Sequence, residues 1–531
     1  MPYLLKILTV PCHFSVLRMI LCLLSGKRKV KEIRSTLSDA TAKRLIYGWL
    51  LLSVVSLGCA GLFAFLIALA RTPVLGELLP LGRDYIYVGL VGHVVLAFVI
   101  WFLAFEGFLL VYTSTICTGR ALFCAKSGFI ALGLSSSGVL LVVVSTAFAL
   151  GPAVLANYVP VLQSPVFFAG MLLFGAGLVI TVLNTFATLL FKAPERTNGD
   201  DGVDTAQKHG LPTATFGMVI GGVGILVAVL CFALSGYMQY STGKVVIDYE
   251  RLFWGGGHVL QFTNTIAMVT AWLLLSVVAI KGAATRYEVP AGEATDEAAY
   301  ESGAGFGAKP SRPLKVLYSL FLLSIVPSPV IYLFYDTASA AYKDSFTLMM
   351  QFGHVLSVVL FVLIIASKML GARVWRAPGP AWSAALLSMA LFLVGGIIGA
   401  KISGVNTIIP AHYHAVIGAV TISFMGLFFV VAPQIGRRLY SVRVARITPY
   451  VYFLGVLCFA VGLYIAGAHG SARKTYGTEQ DLAQTGRYIG MAIMGVGGLV
   501  SVAGGVLFVL NALATLLGKG AGKGSLRRQG R

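Results

Sequence analysis

Stretches of about 20 or more mostly apolar residues, each long enough to cross a bilayer, alternate with short polar breaks along nearly the whole chain. They cover roughly residues 46–70, 84–113, 121–150, 162–191, 212–238, 252–280, 314–335, 345–367, 381–400, 408–432, 449–468 and 487–517. Such stretches are too long and too evenly apolar for the strands of a membrane barrel. Hydrocarbon gives backbone N–H and C=O groups no partner outside their own segment, so each stretch is expected to be a helix. The expected fold class is all-α, a polytopic bundle of about twelve transmembrane helices.

Composition agrees, and charge gives the bundle a direction. Of 531 residues, 57% are hydrophobic and only 11% charged, far from the balance of a soluble domain. The net charge of +20 follows the positive-inside rule and calls for no nucleic-acid partner. Lys27, Arg28, Lys29, Lys31, Arg34, Lys43 and Arg44 precede the first stretch, and Lys519, Lys523, Arg527, Arg528 and Arg531 follow the last. Between them, Arg120 and Lys126, then Lys368, Arg373 and Arg376, then Arg437, Arg438, Arg443 and Arg446 fall in breaks on the same side, whereas a break such as 151–161 carries little charge. Both termini are therefore expected in the cytoplasm: 1–45 as a basic N-terminal segment, 46–517 as the transmembrane domain and 518–531 as a basic tail.

The longest polar interruptions, about 192–211 and 282–313, read as flexible cytoplasmic loops. The opening MPYLLKILTVPCHFSVLRMILCLLSG is interrupted by Lys6, Pro11 and Arg18 and is followed by its basic cluster. It suits an interfacial helix, or a start upstream of the native one, better than a cleaved signal peptide. Cys12, Cys22, Cys59, Cys117, Cys124, Cys231 and Cys458 are scattered, with no CxxCH and no paired spacing, and read as small packing residues. No Walker A, Rossmann glycine pattern or HExxH is present.

The histidines are not scattered. If the first helix runs outward, every even-numbered helix begins at the outer face. His93 then lies about nine residues into the second helix, His258 about six into the sixth, His354 about nine into the eighth, and His412 and His414 about four to six into the tenth. At 1.5 Å per residue these five imidazoles fall in one layer, roughly 6 to 14 Å below the outer interface. His13, His209 and His469 lie elsewhere. An ionisable ring in hydrocarbon is costly, and five at one depth on four helices point to a function. Residues i and i+2 of a helix point about 200° apart, so His412 and His414 cannot chelate one ion but can hold two objects on opposite flanks. A haem is large enough to be held this way: its iron takes axial imidazoles and its plane slots between the helices of a bundle.

These residues carry a resemblance. PAHYHAVIGAVTISFMGL is similar to the tenth helix of subunit I of the haem-copper oxygen reductases, the cytochrome c and quinol oxidases, in which an H-x-H pair ligates a high-spin and a low-spin haem. DYIYVGLVGHVVLAF matches the second helix, which implies His93 and His414 on the low-spin haem and His412 on the high-spin haem. LFWGGGHVLQFTNT resembles the copper-ligand segment of the sixth helix, with His258 as the ligand. GAHGSARKTYG is similar to the basic loop that pairs with haem propionates, here Arg473 and Lys474, and cations above a haem layer would neutralise such carboxylates. The likeness extends over about twelve helices and nearly the whole chain.

The pattern departs in two places. The seventh stretch, LYSLFLLSIVPSPVIYLFYD, lacks the adjacent histidines that complete the family's copper site, and Val330 and Ile331 stand near their place. Phe262 stands four residues after His258, where a redox tyrosine is common. His354 either replaces a lost ligand or is a packing residue; copper normally wants several imidazoles.

The resemblance implies an oxidoreductase, a subunit I-like terminal oxidase in a bacterial inner (plasma) membrane. Electrons would pass from the low-spin haem to the high-spin haem and reduce dioxygen to water beside a second metal, copper or non-haem iron, at His258. Its implied partners are a cytochrome c-like protein or quinol as donor, accessory oxidase subunits and the lipid bilayer. Alternatives are a nitric oxide reductase, weakened by Gln261 where a carboxylate is wanted; a non-catalytic dihaem protein for electron transfer or gas sensing; and a haem-free transporter, against which the histidine layer stands. Glu106, deep in the second stretch, serves either a proton path or a hydrogen bond to a neighbouring helix. Thr263, Asn264 and Thr265 read as interhelical glue, and Lys368 as snorkelling to the interface.

Overall fold

A computed structural model describes residues 27–72, 82–192, 210–241, 243, 246–288, 310–376, 379–475 and 480–518. His13 and the opening segment, the tail from Lys519, and most of the loops 192–211 (with His209) and 282–313 lie outside the described residues.

Among the described residues, twelve helices are long and apolar enough to cross a membrane: Ala40–Ala70, Asp84–Thr115, Ala125–Ala147, Pro165–Phe191, Thr213–Ser241, Tyr249–Ala283, Arg312–Phe334, Ala340–Gly371, Pro380–Gly399, Ile408–Gln434, Val442–Ala468 and Thr485–Leu517. Each coincides with an expected stretch. The largest shift is at the eleventh span, which starts two turns before Pro449 because the Ser441 hydroxyl caps it, accepting the Val444 N–H at 3.3 Å.

Three spans are enclosed by the others. The second, sixth and tenth have 83, 78 and 89% of their spanning stretch buried, against 50% or less for the remaining nine. These three run parallel. The second and tenth meet through Phe105 and Phe424, stacked at 4.1 Å with 8° between the rings, and again where the Tyr112 hydroxyl donates to Gln434 Oε1 at 2.8 Å. The sixth joins the second where Thr263 Oγ1 donates to Glu106 Oε1 at 3.3 Å. Around them the outer spans pack by close approach of small residues: a Cβ on Gly455, Gly462 or Gly497 would run into the backbone of the partner helix between the eleventh and twelfth spans.

Several expected helices are interrupted. The second carries a π-helical turn, Val95–Ile100, immediately after His93's helix ends at Val94. The seventh was expected to be continuous, but it runs Arg312–Ile325, a 3₁₀ turn Ser328–Val330 and Ile331–Phe334; Pro327 and Pro329 withhold the N–H groups a continuous helix needs. The eighth breaks at His354, between Ala340–Gly353 and Val355–Gly371. Between the third and fourth spans, Ala153–Val154 pairs antiparallel with Val161–Leu162, and the tip of this hairpin reaches into the bundle.

Candidate functional site

The site lies toward the end of the bundle where the even-numbered spans begin. Three of its imidazoles share one device. His93 Nδ1 lies 3.2 Å from Ala60 O on the first span, His412 Nδ1 is 2.7 Å from Gly395 O on the ninth, and His414 Nδ1 is 2.7 Å from Pro410 O in its own helix. A carbonyl only accepts, so each Nδ1 carries the proton and each Nε2 presents its lone pair. This is the tautomer that a metal-held histidine needs, with a second hydrogen bond fixing the ring.

The rings are also level. His93 precedes Phe105 by twelve residues, and His412 and His414 precede Phe424 by twelve and ten, so the three agree in depth to about 3 Å at 1.5 Å per residue. His412 and His414 do lie on opposite flanks of the tenth span. His412 packs over Gly399 of the ninth, and the ring of His414 is 4.6 Å from Phe459 of the eleventh.

On the second and tenth spans close packing relaxes toward this end. All of 418–432 and Trp101–Thr115 is buried, yet Ile409, His412, Tyr413, Val416 and Ile417 on the tenth span, and Leu90, His93, Val94, Ala97 and Phe98 on the second, keep accessible surface. Each set has the i, i+3, i+4, i+7, i+8 spacing of one helix face.

His258 is arranged differently. Gly257, Leu260 and Asn264 of the sixth span line a small cavity with Phe98, Val99 and Leu103 of the second, so His258 stands beside the stretch of the second span that follows His93. His258 Nδ1 lies 2.6 Å from Trp254 O, so this nitrogen also carries the proton. Its Nε2 is 2.7 Å from the hydroxyl of Tyr158, which comes from the hairpin between the third and fourth spans. Burial, and then repulsion from Glu250, push the Tyr158 phenol well above its ordinary range, with Arg473 opposing them, so the hydroxyl keeps its proton and donates it to Nε2.

The preceding glycines make this possible. A Cβ on Gly257 would fall 2.7 Å from Tyr158 Cβ, and Gly255 and Gly256 make room in the same way for Tyr332, Phe346 and Phe232. Tyr158 was missed in the sequence, where 151–161 reads as a break poor in charge. The signal that could have found it is the run Gly255-Gly256-Gly257: glycine costs a helix about 1 kcal/mol each, and three together mark close approach of bulky neighbours.

Arg473 and Lys474, expected beside propionates, hold this hairpin. Arg473 Nη2 donates to Asn157 Oδ1 at 3.1 Å, and Lys474 Nζ donates to the same oxygen at 3.2 Å and to Leu155 O. Burial, and then repulsion from Arg473, pull the Lys474 ammonium below the usual lysine range, while Glu250 works against them. His354 does not converge on His258. Its ring stands edge-on to Phe262 with centroids 4.9 Å apart, while His258 faces Phe346 at 5.8 Å, and its buried Nδ1 has no hydrogen-bond partner among the described residues. Glu106 is fully buried, and its Oε2 likewise has no partner there.

Comparisons bear on this arrangement. The solved structure described as "Cryo-EM structure of a heme-copper terminal oxidase dimer provides insights into its catalytic mechanism" superposes with a TM-score of 0.66, 17% identity, and coverage of 91% of this chain and 86% of that one. The fold is that of a haem-copper terminal oxidase. By sequence the chain is 28% identical over 416 residues to a protein of Aquifex aeolicus (strain VF5), covering 77% of this chain and 90% of the relative. It is 25% identical over 535 residues to one of Rickettsia prowazekii (strain Madrid E), covering 88% and 94%. Those relatives carry the descriptions "Uncharacterized protein" and "Uncharacterized protein RP382". No family model matches the chain.

Set on the haem-copper oxidase fold, the donors fit the two kinds of metal group unequally. Haem fits: three imidazoles of one tautomer stand level on the two most enclosed spans, beside accessible faces of both. A second metal does not. Among the described residues no three His, Cys, Asp or Glu side chains are grouped to hold an ion, both nitrogens of His258 are taken, and the seventh span turns through prolines where further ligands were wanted.

Proposed function

We propose that this chain is a membrane oxidoreductase of the haem-copper oxidase type. His93 and His414 would hold one low-spin haem, and His412 would hold a second, high-spin haem that supplies the site for dioxygen. When bound, the haems supply the one-electron chemistry and the binding of a diatomic gas. The chain's own residues do the rest. The carbonyls of Ala60, Gly395 and Pro410 fix the three rings with Nε2 toward iron and raise their basicity. The aromatic contacts of Phe424 with Trp101, Phe102 and Phe105 hold the two haem-bearing spans at one spacing and exclude water from the half below.

The observation that carries this reading is the shared tautomer and level of His93, His412 and His414. Electrons reach the low-spin site from a cytochrome c-like protein or a quinol, with accessory subunits and a bacterial inner membrane around the bundle and both termini in the cytoplasm. A nitric oxide reductase would need carboxylates beside His258, and Gln261 stands there instead.

The test is spectroscopic. The purified protein is expected to give a pyridine haemochrome with two haems per chain. His93→Ala and His414→Ala should each remove the low-spin signal and keep the high-spin one, His412→Ala should do the reverse, and oxygen uptake should fall in all three. Absence of haem, or low-spin signals indifferent to His93 and His414, would end the proposal.

A further inference from the structure

We infer that His258 is not a metal ligand in this chain but the anchor of a latch: Tyr158 takes the nitrogen a metal would need, and the hydrogen-bonded pair fastens the hairpin after the third span onto the sixth. The holoprotein then carries iron as haem and no second metal. The iron count rests on the haem reading above; the latch does not.

The argument is one of occupancy at a single ring. Trp254 O can only accept, so Nδ1 is protonated and Nε2 holds the one available lone pair. A copper or zinc ion on Nε2 would sit about 2.0 to 2.1 Å away, in the space of a phenol oxygen that is itself only 2.7 Å from that nitrogen. Metal and phenol exclude each other.

The phenol is not free to leave. Tyr158 has φ +66°, a conformation costly for a bulky residue and held only by its surroundings. Those surroundings are Gly257 beneath its Cβ, the ring of Trp254 edge-on at 5.6 Å, and the clasp of Arg473 and Lys474 on Asn157 and Leu155. Ligation through Nδ1 instead would break the 2.6 Å bond to Trp254 O and put the ion against a carbonyl that the helix already uses.

Among the described residues no other donor compensates: His354 meets Phe262 instead, and Phe346 packs against His258. A lone imidazole capped at both nitrogens is a poor copper or iron site, because such sites gain their affinity from several ligands of fixed geometry.

The pair also explains three features with no role in haem binding: the glycine at 257, the left-handed tyrosine, and the inward dip of the hairpin. Together they close the bundle beside the cavity lined by Phe98, Val99 and Asn264.

The experiment uses the full-length protein in nanodiscs, incubated with one equivalent of Cu(I) or Zn(II), washed, and analysed for metal per chain alongside solid-state NMR of ¹⁵N-histidine. Copper, zinc and non-haem iron are expected to stay sub-stoichiometric in both wild type and His258→Ala. The His258 Nε2 resonance should ignore added metal and shift in Tyr158→Phe, whose hairpin should become more open to protease. One copper, zinc or non-haem iron per chain that disappears in His258→Ala would overturn the inference, as would an Nε2 resonance unmoved by Tyr158→Phe. The metal count on wild type decides by itself if the tyrosine variant does not accumulate. Protein without haem in the same preparation would sink the dihaem reading and leave the latch to be judged on the other two readouts.

Discussion

Single residues in this bundle are read by what satisfies them. Glu106 is the clearest case. One oxygen lies 3.3 Å from the Thr263 hydroxyl and the other has no partner among the described residues; the single Thr263 proton is shared with Leu260 O, closer at 2.9 Å, so Thr263 loses little if the carboxyl goes. A buried, half-satisfied acid is a cost to the fold, of the order of 1–3 kcal/mol. Glu106→Leu is therefore expected to leave the melting temperature unchanged or raise it, as followed by haem loss on heating. If the carboxyl carries protons, Glu106→Leu will slow oxygen uptake in the same preparation. A strongly lowered melting temperature would show that Glu106 is held for stability. The sequence allowed both a proton path and a hydrogen bond for this residue; the structure supplies the bond, and the uptake assay addresses the path.

At the scale of the helix, spacing in the sequence was a good guide to extent and a poor one to continuity. Apolar length located all twelve spans, because the burial of backbone groups in lipid leaves only one solution for a stretch of that length. It did not locate the breaks at His354 or in the π-turn after His93, which arise where a helix must redirect a side chain against neighbours that local sequence does not name. Nor did it locate the break in the seventh span, which falls at Pro327 and Pro329.

Glycine marks the tightest helix pairs, and this is testable. A Cβ on Gly462 would lie within the backbone of the twelfth span at Met494, whereas one on Gly175 of the fourth span meets nothing within 4 Å. Gly462→Ala is expected to cost about 1–3 kcal/mol through forced separation of the eleventh and twelfth spans. Gly175→Ala should be neutral or slightly stabilising, since alanine is the better helix former. Thermal unfolding in one detergent separates the two; equal effects would mean that the close approach does not limit stability.

In the whole molecule the enclosed trio of spans sets the site. Phe105 and Phe424 lie about 15 to 18 Å from the level of His93 and His414, and pin the helices that carry them. Phe424→Ala removes contacts with Trp101, Phe102 and Phe105 at once. It should cost about 3–5 kcal/mol and convert part of the low-spin haem signal to high-spin without removing a ligand, as the second and tenth spans lose their spacing. Electron paramagnetic resonance reads the conversion; an unchanged spectrum would place control of that spacing elsewhere.

The sequence by itself determined the number of crossings, the all-helical class and the spans that carry the histidines, since each depends only on residues close together in the chain and on the demand of hydrocarbon for internally paired backbone. It also suggested that His412 and His414 diverge, which follows from helix geometry alone. Which spans are central, that Tyr158 occupies Nε2 of His258, and that Arg473 and Lys474 grip Asn157 were decided by tertiary structure. Those contacts join residues 100 to more than 300 positions apart, and they form through the packing of whole helices, which no local period in the chain records.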